Sequence, residues 1–290
     1  MKLVVIIPTA DRKRQVNRLL RHIELQERPP DEVVISAPDA THVEDYQATN
    51  FPLSYVFGKR GLSAQRNQAL ARVLDASDII TFFDDDFLPA DNYLRLVLAA
   101  FGQHPELAVV MGHVVEDGAR GAGLSFGEAL AILHSAEANR PTSPHIREHV
   151  GAYGCNMSMR SRLIGNLRFD ERLVLYGWQE DIDFTSQLRR HGRVVGFDTI
   201  IGVHLGLKAG RVSGVRFGYS QIANPIYLIK KGTVPATFAL DLMARNLVAN
   251  LVRSFWPEPW IDRRGRLRGN LLAVCHLMMG RIEPEYILKI

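Results

Sequence analysis

Three consecutive carboxylates, Asp84-Asp85-Asp86, are the residues of this 290-residue chain best placed to do chemistry. They follow an apolar run over residues 78–83 and precede Phe87-Leu88-Pro89. Adjacent carboxylates repel one another, and such a cluster persists where something positive compensates it. A divalent cation does so economically, since hard carboxylate oxygens favour Mg²⁺ or Mn²⁺ bound together with a phosphate. A solvated acidic turn leading into a helix at Asp91 is the competing explanation. A second group is Trp178-Gln179-Glu180-Asp181-Ile182-Asp183-Phe184, whose three acids open a helix and so meet its positive end. Capping and dipole compensation account for one or two of them. A third is His204, which closes GFDTIIGVH; imidazole is a common metal ligand, although a single histidine is more often structural.

These groups act together only if the fold gathers them. Residues 3–7 form an apolar, mostly β-branched run, the mark of a strand buried on both faces, stopped by Pro8-Thr9-Ala10. Residues 12–25 carry Val16, Leu19, Leu20 and Ile23 at helical spacing and give way to Pro29-Pro30, after which residues 32–36 read as a second strand. Strand, helix, strand predicts a right-handed parallel crossover. A strand over 53–57, a helix over 61–74 and a strand over 78–83 continue the alternation, which predicts an open, mostly parallel α/β sheet flanked by helices. Ligands of such sheets lie outside the carboxyl ends of the strands, where this chain places PTADR, APD and DDD.

A helix over 91–101 and an edge-like strand over 108–115 follow. Periodicity then fades between 116 and 149, except for a helix over 126–139, as in a mobile or inserted segment above a site. A helix over 181–191, closed by Gly192, and a short strand over 194–197 complete the pattern. Residues 205–290 lack βαβ alternation and read as mainly helical; within them 235–253 is amphipathic, with Leu240, Met243, Leu247 and Leu251 on one stripe.

Composition narrows the function classes. Hydrophobic residues are 47% and charged residues 23% of the chain, which excludes long disorder and fibrous repeats. Cys155 and Cys275 form neither a zinc spacing nor a disulfide framework and suit a reducing, cytoplasmic setting. MKLVVIIPTADRK lacks a small-residue cleavage site and reads as a strand rather than a signal peptide. No stretch reaches the roughly 18 uninterrupted apolar residues of a spanning helix. The net charge is only +4, yet after His204 the chain holds 13 Lys+Arg against 5 Asp+Glu, while the first 204 residues hold 22 against 26. An acidic front and a basic tail thus have separate causes.

Taken in order, PTADR after the first strand, GLSAQRNQAL, FFDDDFLP, GCNMSMRSRL, RFDERLVLYGWQEDIDFTSQLRRHG and the closing VH resemble a family 2 glycosyltransferase of GT-A fold over residues 1–204. The resemblance implies that Pro8, Thr9 and Ala10 lie against the nucleotide, and that Gly61, Ala64, Arg66 and Asn67 line its pocket. It implies that Asp84 and Asp86 are the acids of the DxD motif, with Asp84 towards ribose and metal, Asp86 a metal ligand and Asp85 beside the donor. His204 would complete the metal site, Mn²⁺ or Mg²⁺ being the cofactor. Asp181 would be the catalytic base and Glu180 its partner. A carboxylate in that role takes the acceptor hydroxyl's proton as the sugar carbon is attacked, the metal neutralises the departing diphosphate, and the anomeric centre inverts.

One departure concerns the second strand. The family commonly ends it in an aspartate that contacts the base, whereas VVISAPD places Ala37 there, with Asp39 two residues on. A UDP-sugar is preferred as the commonest donor. Trp178 is suited to stacking on a sugar face, as it is to ordinary burial. The resemblance, with the character of the tail, implies an acceptor that is a hydroxyl of a glycan or lipid-linked molecule in bacterial surface polysaccharide or glycolipid assembly. In the region 205–290, Arg263, Arg264, Arg266 and Arg268 flank Trp256 and Trp260, a mixture that fits an anionic membrane surface, a homo-oligomer contact or a solvated face. No nucleic-acid motif is present. Two rivals remain: a nucleotide-sugar-binding subunit without turnover, which predicts a missing base or metal acid, and a sugar-phosphate nucleotidyltransferase, which wants a glycine-rich first loop that PTADR does not offer.

Overall fold

The computed structural model describes residues 1–207 and 213–290. Its first half is a parallel βα array: β1 (Leu3–Pro8), α1 (Lys13–Ile23), β2 (Glu32–Ala37), β3 (Leu53–Phe57), α2 (Leu62–Val73) and β4 (Ile79–Phe83). All six residues of β1 are buried, because the strand lies between β2 and β4 with helices above and below. Alternate residues serve opposite faces. Leu3, Val5 and Ile7 join Val16, Leu19 and Leu20 of α1, while Val4 and Ile6 join Ala69 and Leu70 of α2. Each such aliphatic side chain contributes about 1.5–3 kcal/mol on burial. The parallel register sets Pro8 beside Ser36 and Ile6 beside both Val34 and Phe82, so the three strands end together.

The second half mixes directions. It comprises β5 (Phe87–Pro89), α3 (Tyr93–Gln103), β6 (Leu107–Asp117), α4 (Phe126–Ala138), β7 (Ile146–Glu148), β8 (Asn156–Arg160), α5 (Glu180–Leu188) and β9 (Arg193–His204). The strands form one sheet in the order β3-β2-β1-β4-β8-β6-β9-β5, with β7 also on β9. The pairs β4–β8, β8–β6, β9–β5 and β9–β7 are antiparallel and β6–β9 is parallel, so parallel pairing dominates only the first half.

Four expectations are revised here. β6 is an interior strand rather than an edge, because β8, unread in the sequence, slots between it and β4. β9 runs 12 residues to His204 instead of stopping at 197; its partner β6 breaks register beside it, between Gly112 and His113, and pairing then resumes. The stretch 116–149 is less irregular than its sequence: Ser125 and Glu128 close a capping box on α4, and β7 pairs with β9. Finally, α5 starts at Glu180 and ends at Leu188, short of Gly192.

Beyond the sheet come α6 (Gly214–Lys231), α7 (Ala236–Arg253) and α8 (Arg263–Met278). Helices α6 and α8 touch backbone to backbone: a Cβ at Gly218 would stand 2.0 Å from the Arg266 carbonyl oxygen, and one at Gly269 2.1 Å from that of Val215. A buried amide network joins all three helices. Asn250 Nδ2 donates to Gln221 Oε1 and to Asn270 Oδ1 at 2.8 Å, and Asn270 donates to the Gly218 carbonyl at 2.7 Å. Buried polar groups of this kind must be satisfied together. No described helix is long and apolar enough to cross a membrane.

Candidate active site

The carboxyl ends of β1, β2 and β4 meet at the acidic turn. β4 delivers Asp84 to partial exposure, while Asp85 and Asp86 are buried. Thr9 Oγ1 donates to Asp85 at 2.6 Å, and the Arg12 guanidinium lies 2.8 Å from Asp85 and 3.4 Å from Asp86. Burial drives the Asp85 carboxyl upward, with Arg12 opposing. Burial pulls Asp86 the same way, but the His204 contact and the Arg12 charge outweigh it and leave Asp86 below the usual carboxylate range. The chain after β9 closes the turn from the other side: the Leu205 amide donates to the Asp86 carbonyl at 2.8 Å and the Leu207 amide to its carboxylate at 2.9 Å.

His204, last residue of β9, stands 3.3 Å from Asp86 through Nε2 and 2.8 Å from Asp117 through Nδ1. Burial disfavours its charge, yet the two carboxylates win and raise the imidazole to about 10. Asp84, Asp86 and His204 each offer a ligand atom within 4.8 Å of the others. Two hard oxygens and an imidazole suit Mn²⁺ or Mg²⁺, and Asp117 holds the far ring nitrogen as metal-site histidines require. The donor set therefore fits a divalent cation.

Across from this cluster stands Arg66 of α2, fully buried. Its guanidinium contacts Glu180, reaches Asp84 Oδ1 at 2.9 Å and donates to the Gly154 carbonyl at 2.9 Å. Arg66 is thus the brace between the two acidic motifs. Burial raises the Glu180 carboxyl to about 8, against the opposing charge of Arg66. Asp181, in the first turn of α5, accepts the Gly154 amide on Oδ2 at 2.7 Å and the Ile182 amide on Oδ1 at 2.8 Å. Its carboxyl is also raised, by burial. Preceding both acids, Gln179 adopts the left-handed conformation (φ 72°), and its buried amide has no hydrogen-bond partner among the described residues. A strained, unsatisfied residue at this position is where a ligand would be accommodated.

The remaining anticipated residues divide into frame and rim. Pro8 and Thr9 are buried at the end of β1 and Ala10 is half-buried. Gln65 ties that end down, donating to the Thr9 and Ser36 carbonyls at 2.6 and 2.9 Å. Gly61, at φ 134°, starts α2, a conformation that favours glycine. Ala64 is buried, and Asn67 clamps both backbone polar groups of Phe169, at 2.9 and 2.8 Å. Ala37 is fully buried, and the Asp39 carboxylate is engaged with the Thr41 amide at 2.8 Å. The Trp178 ring meets Phe217 edge-on at 5.9 Å, and its carbonyl accepts from Asn224 of α6 at 2.7 Å. Helix α6 also anchors α5, with Lys231 2.6 Å from Asp183 and 2.7 Å from Asp170.

Sequence reasoning assigned no role to Arg12, Asp117 or Tyr153. Arg12 belongs to PTADR, two residues past Pro8-Thr9-Ala10. Asp117 ends a strand that the sequence pattern stops at 115. Tyr153 carries no local signal; its hydroxyl lies 3.2 Å from His204 Nδ1 and 3.4 Å from Asp117. Beside this pair opens a cleft of about 490 Å³, walled by Tyr153, Asp117, His113, Arg147, His149 and Phe197.

No curated protein matches the chain. Among solved structures it is similar to the mannosyltransferase PcManGT from Pyrobaculum calidifontis in complex with GDP-Man and Mn²⁺: 16% identity and a TM-score of 0.56, covering 99% of this chain and 85% of that one. It is similar to S. aureus TarS 1-349 in complex with UDP-GlcNAc at 15% identity and a TM-score of 0.57, covering 100% and 88%. Against a longer S. aureus TarS chain (16% identity, TM-score 0.56) all of this chain is covered but only 53% of the other. At such identities the likeness speaks for the fold, an open α/β sheet of GT-A type with a helical C-terminal region. Residues 4–128, which hold β1 to β6 and the acidic turn, match the family model for glycosyl transferase family 2. Over these residues the chain is similar to family 2 glycosyl transferases.

Proposed function

We propose that this protein is a metal-dependent inverting transferase that moves a sugar from a nucleoside-diphosphate sugar, a UDP-sugar by preference, to a hydroxyl of a glycan or lipid-linked acceptor in bacterial surface polysaccharide or glycolipid assembly. One observation carries the reading: a metal-competent trio, Asp84, Asp86 and His204, is joined through Arg66 to a carboxylate pair, Glu180 and Asp181, at a helix start. One group suits a diphosphate and the other a hydroxyl proton. The structural neighbours hold GDP-Man with Mn²⁺ and UDP-GlcNAc, which supports a nucleotide-sugar donor.

In this reading residues 1–204 carry the chemistry and residues 205–290 brace it and serve the acceptor; residues 208–212 lie outside the described residues. The turn from Pro8 to Ala10 and the start of α2 at Gly61 border the nucleotide. Asp84, Asp86 and His204 hold the cation, which supplies Lewis-acid neutralisation of the leaving diphosphate. Asp85, fixed by Thr9 and Arg12, positions the turn rather than binding metal. Each Asp181 oxygen already accepts one backbone amide, which aims its remaining lone pairs. It takes the proton from the acceptor hydroxyl as that oxygen bonds to the anomeric carbon and the bond to diphosphate breaks. A pKa raised by burial makes it a better proton acceptor than an ordinary aspartate. Arg66, tied to Glu180, Asp84 and the Gly154 carbonyl, fixes the Gly154 segment whose amide Asp181 accepts, and so sets Asp181 on the donor side. Tyr153 precedes the Gly154 amide that holds Asp181, so the cleft it walls is the acceptor's approach.

The test is a thermal-shift panel of UDP, GDP, dTDP and CDP, each with and without Mn²⁺, since a ligand bound only by the folded state raises its stability. A shift with one diphosphate that requires Mn²⁺ identifies the donor base and supports the reading. No shift with any of them overturns the donor site.

A further inference from the structure

Helix α7 packs Phe238, Ala239 and Met243 against the helices beside it but leaves a second apolar stripe without cover among the described residues. Of its 18 residues only Ala239 and Asn250 are buried. Leu240, Val248, Leu251 and Val252 are exposed; at 100° per residue they fall within an arc of about 120° on one side. The stripe continues off the helix into Phe255 and Trp256, which are 66% and 83% exposed, with Trp260 beyond. Eleven of the fifteen large apolar side chains exposed among the described residues lie after residue 239, so the exposure is concentrated rather than scattered. Isolated exposed apolar residues need no explanation, but a contiguous set marks an interaction surface.

Its rim is cationic. Between residues 236 and 281 the chain has seven arginines against three acids; Arg263 among them is buried, while Arg245, Arg253, Arg264, Arg268 and Arg281 are exposed. Arg245 stands on α7 one turn after Asp241, with which it pairs at 2.6 Å. Arg264 is exposed on α8 and hydrogen-bonds the Ser254 carbonyl at 3.1 Å, which sets it beside the Phe255-Trp256 tip; Arg268 is exposed one turn further on. Aliphatic stripe, aromatic tip and arginine rim together are the chemistry of the boundary between acyl chains and anionic headgroups. A symmetric contact with a second copy would instead bring this surplus of arginines against itself.

We propose that this face docks the protein on an anionic lipid bilayer, with the α7 stripe and the Phe255-Trp256 tip in the acyl boundary and the arginines at the phosphates. The docking lies in α7 and α8 and does not depend on the glycosyl-transfer reading, since neither donor nor acceptor enters its test.

That test is co-sedimentation of the full chain with vesicles of phosphatidylglycerol and phosphatidylcholine, or of phosphatidylcholine alone, beside light scattering of the free protein. Expected are strong partition onto the anionic vesicles, weak partition onto the neutral ones and weakening by salt. Two surface pairs, Phe255→Ser with Trp256→Ser and Val248→Gln with Leu251→Gln, should each cut that partition about tenfold or more, with unchanged unfolding temperature. Absence of binding to anionic vesicles overturns the proposal, as does partition that neither pair alters. A dimer that both pairs dissociate, with no vesicle binding, assigns the face to a second copy instead.

Discussion

Two carboxylates at single-residue scale separate chemistry from support. Asp181 sits within a cradle of two backbone amides, so Asp181→Asn keeps the side-chain size and one of the two amide contacts while removing the proposed base. The expected outcome is a fall in transfer rate of about 10²–10⁴-fold with donor affinity unchanged, read from initial rates beside UDP binding; undiminished transfer removes Asp181 from the reaction. Asp117 instead acts through His204, holding Nδ1 at 2.8 Å so that Nε2 faces Asp86. Asp117→Ala should weaken Mn²⁺ affinity by about 10–100-fold, measured calorimetrically with Mn²⁺ alone, whereas Tyr153→Phe, which keeps the carboxylate, should change it less. Equal affinities in Asp117→Ala and the parent would show that the imidazole is fixed by other means. The place of Asp117 was not legible locally: it is 87 residues from its partner, and only the parallel pairing of β6 with β9 aligns them.

Among the elements, the contact between α6 and α8 governs how the C-terminal region is built. Two glycines let the helices approach until a Cβ at Gly218 would overlap the Arg266 carbonyl oxygen, an atom of backbone that cannot swing aside. Gly218→Val should therefore cost about 1–3 kcal/mol, as overpacking does, and lower the unfolding temperature. A neutral result in thermal melts would mean that the helices can slide apart without loss. Because α6 carries Lys231 against Asp183 and Asn224 against the Trp178 carbonyl, the same variant should also loosen the start of α5. The elements themselves were largely readable: β1, β2, β3 and β4 announce themselves as apolar runs and α1 by its 3–4 spacing. β8 was not, since NMSMR alternates polar and apolar residues that are buried alike: Asn156 and Ser158 are as hidden as Met157 and Met159. Their polarity is met inside the sheet, with Ser158 hydroxyl to Thr81 hydroxyl at 2.8 Å.

For the molecule as a whole, buried ionisable groups tie stability to pH. His22 of α1 is buried, and its Nε2 donates to the Pro89 carbonyl at 2.6 Å. Burial holds the imidazole below its usual 6.5, the carbonyl partly offsetting it. The unfolded chain then binds the proton more readily, so the neutral imidazole's contribution is present above 6.5 and is lost as pH falls below it. Urea titrations should show wild-type stability dropping more steeply under acid than that of His22→Gln. Parallel curves would mean that His22 keeps its ordinary affinity for the proton in the fold.

By itself the sequence determined the alternation of strands and helices from β1 to β4, the acidic turn after β4, the paired acids opening α5 and the uneven charge, because these depend on residue type and short-range spacing. Tertiary structure alone decided the rest. It made β6 interior, stretched β9 to His204, turned Arg66 into a buried brace between two acidic motifs and added Asp117 behind the histidine. It also covered Met243 of the α7 stripe and left Leu240, Val248, Leu251 and Val252 exposed: amphipathic spacing shows that a helix has an apolar face, but what that face meets depends on where the other helices already lie.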